Sequence, residues 1–545
     1  MTPAPSPPTA HVDTFCAERL PPPEQWPELP GIDGYPTLLN AADFLLSAVR
    51  GRPFGGSDVD AGAVAYRRGD DVWTYGELDE QVRRLAGSLG SLGLVPGNRV
   101  LLRGFNSPEL AAAILACLHA GLVAVPTMPL LRAAELDAIA TRADVAQVLT
   151  DERLADEVAA MDHEAPVSTW GPSGDLDPLA AAAEPVPSVA TAATDVALLL
   201  FTSGTTGSPK AACHFHRDIA AICDTAGVDI YRLGPDDVVT GTPPLAFAYG
   251  FGAFCAFPLR AGASTVLLEQ PTPDDLLEAI ERHRATVTFT APTAYRALLP
   301  RLDGRDVSSL RYGASAGETL PAPTYEAFLD ATGVPLLDGI GSTELLHIFC
   351  SNRIDDHRPG LTGTDIAGYR NRVVDDDGNP VPDGEIGHLE VKGPTGCLYL
   401  DDERQSVYVR HGWNRTGDLY VRDPDGWFAY QSRADDLIVT SGYNVAGPEV
   451  EAALLAHPAV AECAVIGVPD ADRGHVVKAV VVPAADAVAD AALVAALQDH
   501  VKAVIAPYKY PRLVEFRAAL PKTGTGKVQR FVLRQQEAAG PAETA

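Results

Sequence analysis

A glycine- and threonine-rich loop after an apolar stretch is the feature that most constrains the fold of this chain. Residues 199–210 read LLFTSGTTGSPK, so a run typical of a buried strand opens into a loop that ends at Lys210. Glycine adopts backbone angles that are closed to other residues, which lets successive N–H groups point at one anion. Hydroxyl groups and the lysine charge add to such a site. The loop therefore predicts phosphate binding by Ser203, Gly204, Thr205, Thr206, Gly207 and Lys210.

The spacing of this loop differs from that of the Walker phosphate loop. Pro209 stands where the Walker motif requires a glycine before the lysine. A plain surface turn is the alternative interpretation, because glycine, serine and proline also favour turns. The loop by itself leaves both interpretations open.

Four later segments favour the phosphate site. They are DGIGSTE at 338–344, RTGDLY at 415–420, RADDLIVTSGYN at 433–444 and PKTGTGK at 521–527. Together with the loop, in this order and at these distances, they resemble the adenylate-forming superfamily of acyl-CoA synthetases, peptide-synthetase adenylation domains and luciferases. The resemblance covers nearly the whole chain. Within the superfamily, GIGSTELLHIF and SGYNVAGPEVE are most similar to the benzoate-CoA and 2-aminobenzoate-CoA ligases.

The resemblance implies an enzyme, an AMP-forming acid–thiol ligase that uses ATP, Mg²⁺ and coenzyme A. In such an enzyme the carboxylate of an acid attacks the α-phosphate of ATP and forms an acyl-adenylate, from which a thiol then displaces AMP. The carboxylate and the triphosphate repel each other, so the site has to neutralise charge and align both groups for in-line displacement.

Hydrophobic periodicity predicts an α/β fold. Continuous apolar runs at 197–201, 265–268 and 287–290 alternate with helical patterns such as 274–283, which is typical of parallel sheets buried on both faces. After residue 436, short helical and strand-like patterns predict a small α+β domain. The resemblance implies a large multi-subdomain N-terminal domain of mostly parallel sheets and a small mobile C-terminal domain.

Four stretches divide the chain. Residues 1–25, rich in proline and without a signal-peptide pattern, are predicted to be a disordered tail. The resemblance then implies an AMP- and acyl-substrate-binding domain at 26–432, a hinge at 433–436 with Asp435 as its pivot, and a cap domain at 437–545 that carries the catalytic lysine.

Composition limits the partners that this chain can have. Its 545 residues exceed what one hydrophobic core usually organises. A net charge of −30 repels nucleic acid and anionic membranes, so neither is expected as a partner, and the nucleotide requires a locally positive pocket. The eight cysteines form no C-x-x-C pair and indicate neither a zinc site nor a disulfide framework. A cytoplasmic enzyme is expected, and the oligomeric state is left open.

The resemblance assigns Lys527, Glu344 and Thr205 to catalysis. Thr205 and Glu344 help to place Mg²⁺, whereas Lys527 reaches the substrate carboxylate and the bridging region of the α-phosphate. Asp418 is an acceptor-only carboxylate that suits the two ribose hydroxyls, and Arg433 is expected to contact ribose or phosphate. The other expected nucleotide contacts are Thr202, Gly317, Glu318, Asp338, Gly339, Ile340, Ser342 and Thr343.

The residues that match the acyl pocket predict a small aromatic acid. Adenylation domains for amino acids usually carry an aspartate after a phenylalanine, to pair with the substrate ammonium, and Ala248 takes that place here. An α-amino acid would therefore bury an unpaired ammonium, which is costly. Benzoate or 2-aminobenzoate is the expected kind of substrate, and His347 either contacts a ring substituent or packs as a core side chain. The expected pocket residues are Phe247, Ala248, Tyr249, Gly250, Ala316, His347 and Ile348.

Coenzyme A is the expected thiol. The phosphopantetheine arm of a carrier protein is the alternative, because it presents the same thiol. The resemblance places Gly442 beside the thiol tunnel, where the lack of a side chain lets the backbone approach the pantetheine arm. It also implies that the C-terminal domain swings about Asp435 between the two half-reactions.

One pattern points to a different class of enzyme. Residues 313–317 read GASAG and fit the G-x-S-x-G nucleophile elbow, so a serine hydrolase using Ser315 is a further alternative. Acidic residues and histidines that could complete a triad follow later in the chain. The resemblance instead assigns 313–318 to a loop against adenine and the acyl pocket.

Overall fold

The computed structural model describes residues 9–47, 49–50, 59–202, 209–434, 436–440, 443–470, 474–522 and 528–538. The helices in this part of the chain are α1 (Phe15–Glu18), α2 (Ala41–Leu45), α3 (Tyr75–Ser91), α4 (Pro108–His119), α5 (Ala133–Ala143), α6 (Ala155–Ala159), α7 (Leu176–Ala182), α8 (His216–Ile222), α9 (Ala248–Phe251), α10 (Phe257–Ala261), α11 (Pro273–His283), α12 (Pro292–Leu298), α13 (Ala322–Thr332), α14 (Gln405–Tyr408), α15 (Gly447–Leu455), α16 (Ala491–Val504) and α17 (Arg530–Ala538).

The strands alternate with these helices over most of the chain. They are β1 (Val64–Arg68), β2 (Asp71–Thr74), β3 (Arg99–Arg103), β4 (Val123–Thr127), β5 (Val145–Asp151), β6 (Val167–Trp170), β7 (Val196–Thr202), β8 (Lys210–Phe215), β9 (Val238–Gly241), β10 (Ser264–Val266), β11 (Val287–Thr290), β12 (Tyr312–Ser315), β13 (Leu336–Gly341), β14 (Ile348–Ser351), β15 (Thr364–Asp365), β16 (Arg370–Val374), β17 (Gly387–Lys392), β18 (Val409–Arg410), β19 (Trp413–Arg422), β20 (Phe428–Arg433), β21 (Ile438–Thr440), β22 (Tyr443–Val445), β23 (Val460–Asp470), β24 (Gly474–Pro483) and β25 (Leu513–Phe516).

Two large sheets, each mostly parallel, form the body of the N-terminal part. One has the order β6-β5-β3-β4-β7-β8, and the other has the order β15-β14-β13-β12-β11-β9-β10-β1-β2. Strands β3 to β7 run parallel, and β8 closes that sheet as an antiparallel partner of β7. In the second sheet β1 and β9 to β13 run parallel, whereas β2 and β14 pair antiparallel at its two ends. The predicted α/β class is confirmed.

Local sequence signals explain where the N-terminal helices begin. The Thr74 side chain accepts from the backbone N–H of Glu77, and the Glu77 carboxylate accepts in return from the backbone N–H of Thr74, which is the capping box that starts α3. Ser107 caps α4, whose side chains are almost all buried before the chain enters β4. The apolar stretch at 111–126 is thus a buried helix that leads into a strand.

Two smaller sheets complete the fold. Strands β16 to β20 form a five-stranded antiparallel sheet, and β21 to β25 form a separate sheet in the order β22-β21-β24-β23, with β25 beside β24. The second of these sheets packs with α15 and α16, which gives the predicted α+β texture after residue 436. The Arg296 guanidinium on α12 donates to the backbone oxygen of Val460 over 3.0 Å and thereby joins the two parts of the chain.

Residues 9–25 are ordered, which corrects the prediction of a disordered tail for that part of the N-terminus. The backbone N–H of Ala10 donates to the Asp195 carboxylate over 3.0 Å, and Asp13 pairs with the buried guanidinium of Arg99. Helix α1 follows and buries Cys16. Long-range ion pairing holds this segment, and a reading of local composition does not detect such pairs.

Two further properties concern the whole described chain. None of its helices is both long and apolar enough to cross a membrane. The eight cysteines are free and buried.

Candidate active site

The candidate site lies where parallel strands of the nine-stranded sheet end side by side. In the register of that sheet, Gly241 of β9 pairs with Phe289 of β11, Phe289 pairs with Ala314 of β12, and Ala314 pairs with Leu337 of β13. Carboxyl ends of parallel strands meet at one edge, where ligands of α/β proteins bind. The loops that leave this edge carry the residues predicted for the acyl pocket and the adenine contact.

The predicted phosphate loop connects β7 to β8. Thr202 pairs with Lys210 across this hairpin, so the two ends of the connection lie side by side. The Thr202 hydroxyl is buried and makes no hydrogen bond to the described residues. Five of the predicted phosphate contacts lie outside the described residues, namely Ser203, Gly204, Thr205, Thr206 and Gly207.

Lys210 and Glu344 meet through a third side chain, Tyr399. The Lys210 ammonium donates to the Tyr399 hydroxyl over 3.0 Å, and this hydroxyl donates to Glu344 Oε1 over 2.5 Å. Lys210 Nζ lies 3.7 Å from the same carboxylate oxygen. The structure therefore brings together a cation and a buried carboxylate that the sequence predicted for phosphate and metal.

A short 3₁₀ turn holds Glu344. The Ser342 hydroxyl accepts from the backbone N–H of Leu345 and thereby caps the turn Thr343–Leu345. Leu346 has φ 67°, a left-handed conformation that is uncommon for a leucine, and the chain then reverses into β14. This reversal places Glu344 and His347 in a single connection.

Asp338 occupies the middle of β13, next to the end of β12. The Ser315 hydroxyl donates to Asp338 Oδ1 over 3.2 Å. Burial raises the pKa of the Asp338 carboxyl well above its usual range, although Ser315 and two backbone N–H groups act in the opposite direction. Its predicted neighbours Gly339 and Ile340 continue the same strand. On the loop after β12, Gly317 has φ 93°, which a side chain would strain, and Glu318 follows it.

Asp418 and Arg433 face each other on β19 and β20. Arg433 Nη1 donates to Asp418 Oδ1 over 2.9 Å and to the backbone oxygen of Thr416 over 3.2 Å. Gly417 between them has φ 81°, and a Cβ there would meet the Arg433 guanidinium at 2.7 Å. Tyr408 connects this pair to Lys210. Its ring centroid lies 5.4 Å from Lys210 Nζ, and its hydroxyl donates to the backbone oxygen of Thr416.

An aromatic box encloses His347, which is 3% exposed. Its ring centroid is 4.6 Å from that of Phe257 and 5.7 Å from those of Tyr231 and Tyr249. Neither ring nitrogen makes a hydrogen bond within the described chain. Burial lowers the pKa of His347 to about 3, while the Tyr249 backbone acts weakly in the opposite direction. The imidazole is therefore neutral near pH 7.

The other predicted pocket residues surround this box. Helix α9 begins directly after Phe247 and contains Ala248, Tyr249 and Gly250. The Tyr249 hydroxyl donates to the backbone oxygen of Ala314 over 3.0 Å and so ties α9 to β12. Ala316 and Ile348 are buried. The sequence did not indicate a pocket role for Tyr231 and Phe257, because aromatic residues in apolar runs are typical of any hydrophobic core.

The nucleophile-elbow interpretation of Ser315 is wrong. An elbow needs a sharp turn from strand to helix that exposes the serine. Ser315 instead ends β12, is 2% exposed, and donates its hydroxyl to Asp338. No helix begins until Ala322.

Three predicted residues lie outside the described part of the chain: Lys527, Gly442 and Asp435. Their neighbours are described. Arg433 ends β20. Lys522 and Val528, which flank residues 523–527, form a β-bridge, and α17 starts at Arg530.

Comparison with known proteins matches this fold and site to one group. The model of the AMP-binding enzymes matches residues 57–398, and that of the AMP-binding enzyme C-terminal domain matches residues 449–527. The benzoate–CoA ligase of Thauera aromatica is 35% identical over 518 residues, which cover 92% of this chain and 96% of that protein.

Two solved structures are similar over nearly their full length. The crystal structure of the anthranilate CoA ligase AuaEII in complex with anthranoyl-AMP has a TM-score of 0.87 at 32% identity and covers 93% of this chain and 99% of its own. A benzoate CoA ligase from Burkholderia xenovorans LB400 has a TM-score of 0.84 at 36% identity, with 91% of this chain and 100% of its own covered.

The fold and the site together define an adenylate-forming enzyme. The chain belongs to the AMP-binding enzyme family, close to the benzoate-CoA ligases.

Proposed function

We propose that this enzyme activates a small aromatic acid of the benzoate or 2-aminobenzoate type with ATP and transfers the acyl group from the adenylate to coenzyme A. The observation that carries the proposal is that one connection, residues 342–347, supplies both the buried carboxylate of Glu344 and the imidazole that the aromatic box encloses. Relatives named benzoate-CoA ligase, and a similar structure that holds anthranoyl-AMP, support the choice of acid.

The nucleotide is proposed to lie across the strand ends from Asp338 to Asp418. The Asp338 carboxyl, whose Oδ1 already accepts from Ser315, can also accept from the amino group of adenine. Gly317, whose φ of 93° suits glycine, is proposed to line the loop against the base, and Gly339 is proposed to contact the nucleotide through its backbone. Asp418, already oriented by Arg433, would accept from the ribose hydroxyls. The remaining proposed contacts are Thr202, Glu318, Ile340, Ser342 and Thr343.

Lys210 and the preceding loop are proposed to hold the β- and γ-phosphates. Glu344 and Thr205 are proposed to hold Mg²⁺, because magnesium prefers a few carboxylate and hydroxyl oxygens together with phosphate oxygens. The described residues contain no cluster of three or more His, Cys, Asp or Glu that could hold a metal alone. Such a site fits an ion that arrives with the triphosphate, and the ion would neutralise phosphate charge.

The proposed reaction has two steps, adenylate formation and thioester formation. A carboxylate oxygen of the acid forms a bond to the α-phosphorus, the bond from that phosphorus to the bridging oxygen breaks, and pyrophosphate leaves. Lys527 is proposed to stabilise the charge that develops at the α-phosphate in this step. In the second step the thiol gives up its proton to solvent, its sulfur bonds to the acyl carbon, the bond from the acyl carbon to the phosphate oxygen breaks, and AMP leaves. Gly442 is proposed to line the path of the thiol after the domain turns at Asp435.

The aromatic box sets the size of the acid. Gly252 packs flat against the imidazole, and a Cβ there would lie 2.3 Å from His347 Cδ2. Ala248 leaves no acidic partner for a substrate ammonium, which disfavours α-amino acids. A neutral imidazole has one nitrogen that accepts and one that donates, so His347 suits an amino or hydroxyl group on the ring.

Replacement of His347 tests this selectivity. His347→Phe should reduce kcat/KM for 2-aminobenzoate about 10- to 100-fold more than kcat/KM for benzoate, because the polar contact is lost only with 2-aminobenzoate, whereas the larger ring affects both acids. Pyrophosphate release with each acid measures both values. Gly252→Ala is the contrasting variant, since it keeps the imidazole but forces the ring to move and should lower both activities. Equal losses for both acids in His347→Phe would make His347 only a wall of the pocket.

The proposed acid class is tested by ATP- and Mg²⁺-dependent pyrophosphate release without coenzyme A. The acids to compare are benzoate, 2-aminobenzoate, 2-hydroxybenzoate, phenylacetate, cinnamate and medium-chain fatty acids. We expect release with one or two of the benzoates. Pyrophosphate release with fatty acids alone would contradict the pocket assignment. The absence of pyrophosphate release with every acid would contradict the proposed substrate class.

A further inference from the structure

Tyr399 connects the phosphate-loop lysine to the buried glutamate. Its hydroxyl accepts from Lys210 Nζ and donates to Glu344 Oε1, and the residue is 1% exposed. Bulk water therefore has little access to take the place of either partner. The two hydrogen bonds of this hydroxyl are expected to be strong, because hydrogen bonds to ionised groups are shorter and stronger than those between neutral groups.

The backbone fixes the position of this tyrosine. Leu400 N donates to Ala211 O over 2.9 Å, and Cys213 N donates to Leu398 O over 2.8 Å, so the segment around Tyr399 is bound along β8. The backbone N–H of Tyr399 donates to the Gln405 side chain over 2.9 Å. The hydroxyl is thus held relative to the strand that begins at the phosphate-loop lysine.

Tyr399 and Lys210 act on the same oxygen of Glu344. Both the hydroxyl and the lysine point to Oε1, and Glu344 Oε2 makes no hydrogen bond to a described residue. Among the described residues, the carboxylate is therefore held at one oxygen only.

We propose that Tyr399 is a positioning residue that anchors one oxygen of Glu344 and thereby presents the other to the magnesium ion of the bound nucleotide. The inference rests on the proposed role of Glu344. By accepting from Lys210, the same hydroxyl keeps this cation beside the phosphate loop. Removal of the hydroxyl leaves Glu344 free to rotate towards Lys210, which lies 3.7 Å away, and away from the metal position.

The test is Tyr399→Phe, with Tyr408→Phe as the matched control. Tyr408 is a partly buried tyrosine that packs against the same cluster, and its ring centroid lies 5.7 Å from that of Tyr399, but its hydroxyl donates to a backbone oxygen, that of Thr416. Calorimetry measures the affinity for a non-hydrolysable ATP analogue, once with Mg²⁺ and once with EDTA. The wild type and Tyr408→Phe are expected to gain affinity from Mg²⁺. In Tyr399→Phe the increase in affinity from Mg²⁺ should be about tenfold smaller, and the affinity in EDTA should equal that of the wild type.

The possible outcomes separate the two proposals. An unchanged Mg²⁺ gain in Tyr399→Phe, or an equal loss with Mg²⁺ and EDTA, would overturn the role of Tyr399. Glu344→Gln serves as the reference in the same titration. If only Glu344→Gln loses the increase in affinity that Mg²⁺ produces, the positioning role of Tyr399 is refuted and the metal assignment stays intact. If Glu344→Gln keeps the whole of this increase, the metal assignment itself is refuted. Thermal unfolding of all three variants checks that each is folded.

Discussion

Glu344→Gln is expected to slow acyl-adenylate formation by about 10²- to 10³-fold, because removal of one preorganised group that stabilises charge in the transition state has an effect of that size. Glutamine has nearly the same shape and can still accept from Tyr399, so the turn that carries residue 344 should persist. The lost quantity is the negative charge. Pyrophosphate release with saturating Mg²⁺ measures the first step, and thioester formation from supplied aryl-adenylate measures the second, which should stay close to wild type.

Glu390→Gln is the matched control for this variant. Glu390 is as buried as Glu344, but it pairs with Arg372 and Arg415 at 2.7 and 3.0 Å. Breaking a buried ion pair typically costs about 3–5 kcal/mol, so this variant should unfold at a lower temperature. The ratio of its two half-reaction rates should stay that of the wild type. A proportional loss of both steps in Glu344→Gln would assign this residue a structural role.

Lys527→Ala is expected to suppress adenylation by a similar factor, about 10²- to 10³-fold, and to spare thioester formation from supplied aryl-adenylate. The proposed lysine acts on the α-phosphate only in the first step. Single-turnover rates of the two half-reactions measure this separation. Arg517→Ala, in the same domain and away from the hinge, is a control: it removes the ion pair with Glu515 but no proposed catalytic charge. Equal loss of both steps in Lys527→Ala would contradict the domain alternation.

Gly442→Leu should give the opposite separation. A side chain in the proposed thiol path blocks coenzyme A and leaves the aryl-adenylate to accumulate. Mass detection of adenylate and thioester in one reaction measures both products. Unchanged thioester formation would remove Gly442 from the path of the thiol.

Local patterns predicted much of the fold. The apolar run at 287–290 and the helical pattern at 274–283 both lie where periodicity placed them. Each depends on neighbours within one or two turns of the chain, which a sequence displays directly. The α/β class followed from these elements.

Contacts between distant residues were not predictable in the same way. Tyr399 lies 189 residues from Lys210 in sequence, and nothing in the pattern around it indicates that its hydroxyl joins two charged groups. Residues 9–25 belong to the proline-rich stretch that was predicted to be a disordered tail, yet Asp13 pairs with Arg99 far along the chain. The GASAG pattern suggested a catalytic serine that the structure does not support. A short motif does not reveal that Ser315 remains within a buried strand.

The measurement that tests the central claim most directly is the product balance of one reaction that contains ATP, Mg²⁺, the preferred benzoate and coenzyme A. Mass spectrometry and nucleotide analysis follow all products together. Our account predicts aryl-CoA, AMP and pyrophosphate in equal amounts, and no aryl-CoA when ATP is omitted. Release of pyrophosphate with aryl-adenylate as the end product, and coenzyme A left unchanged, would contradict it and point to the phosphopantetheine of a carrier protein as the acceptor.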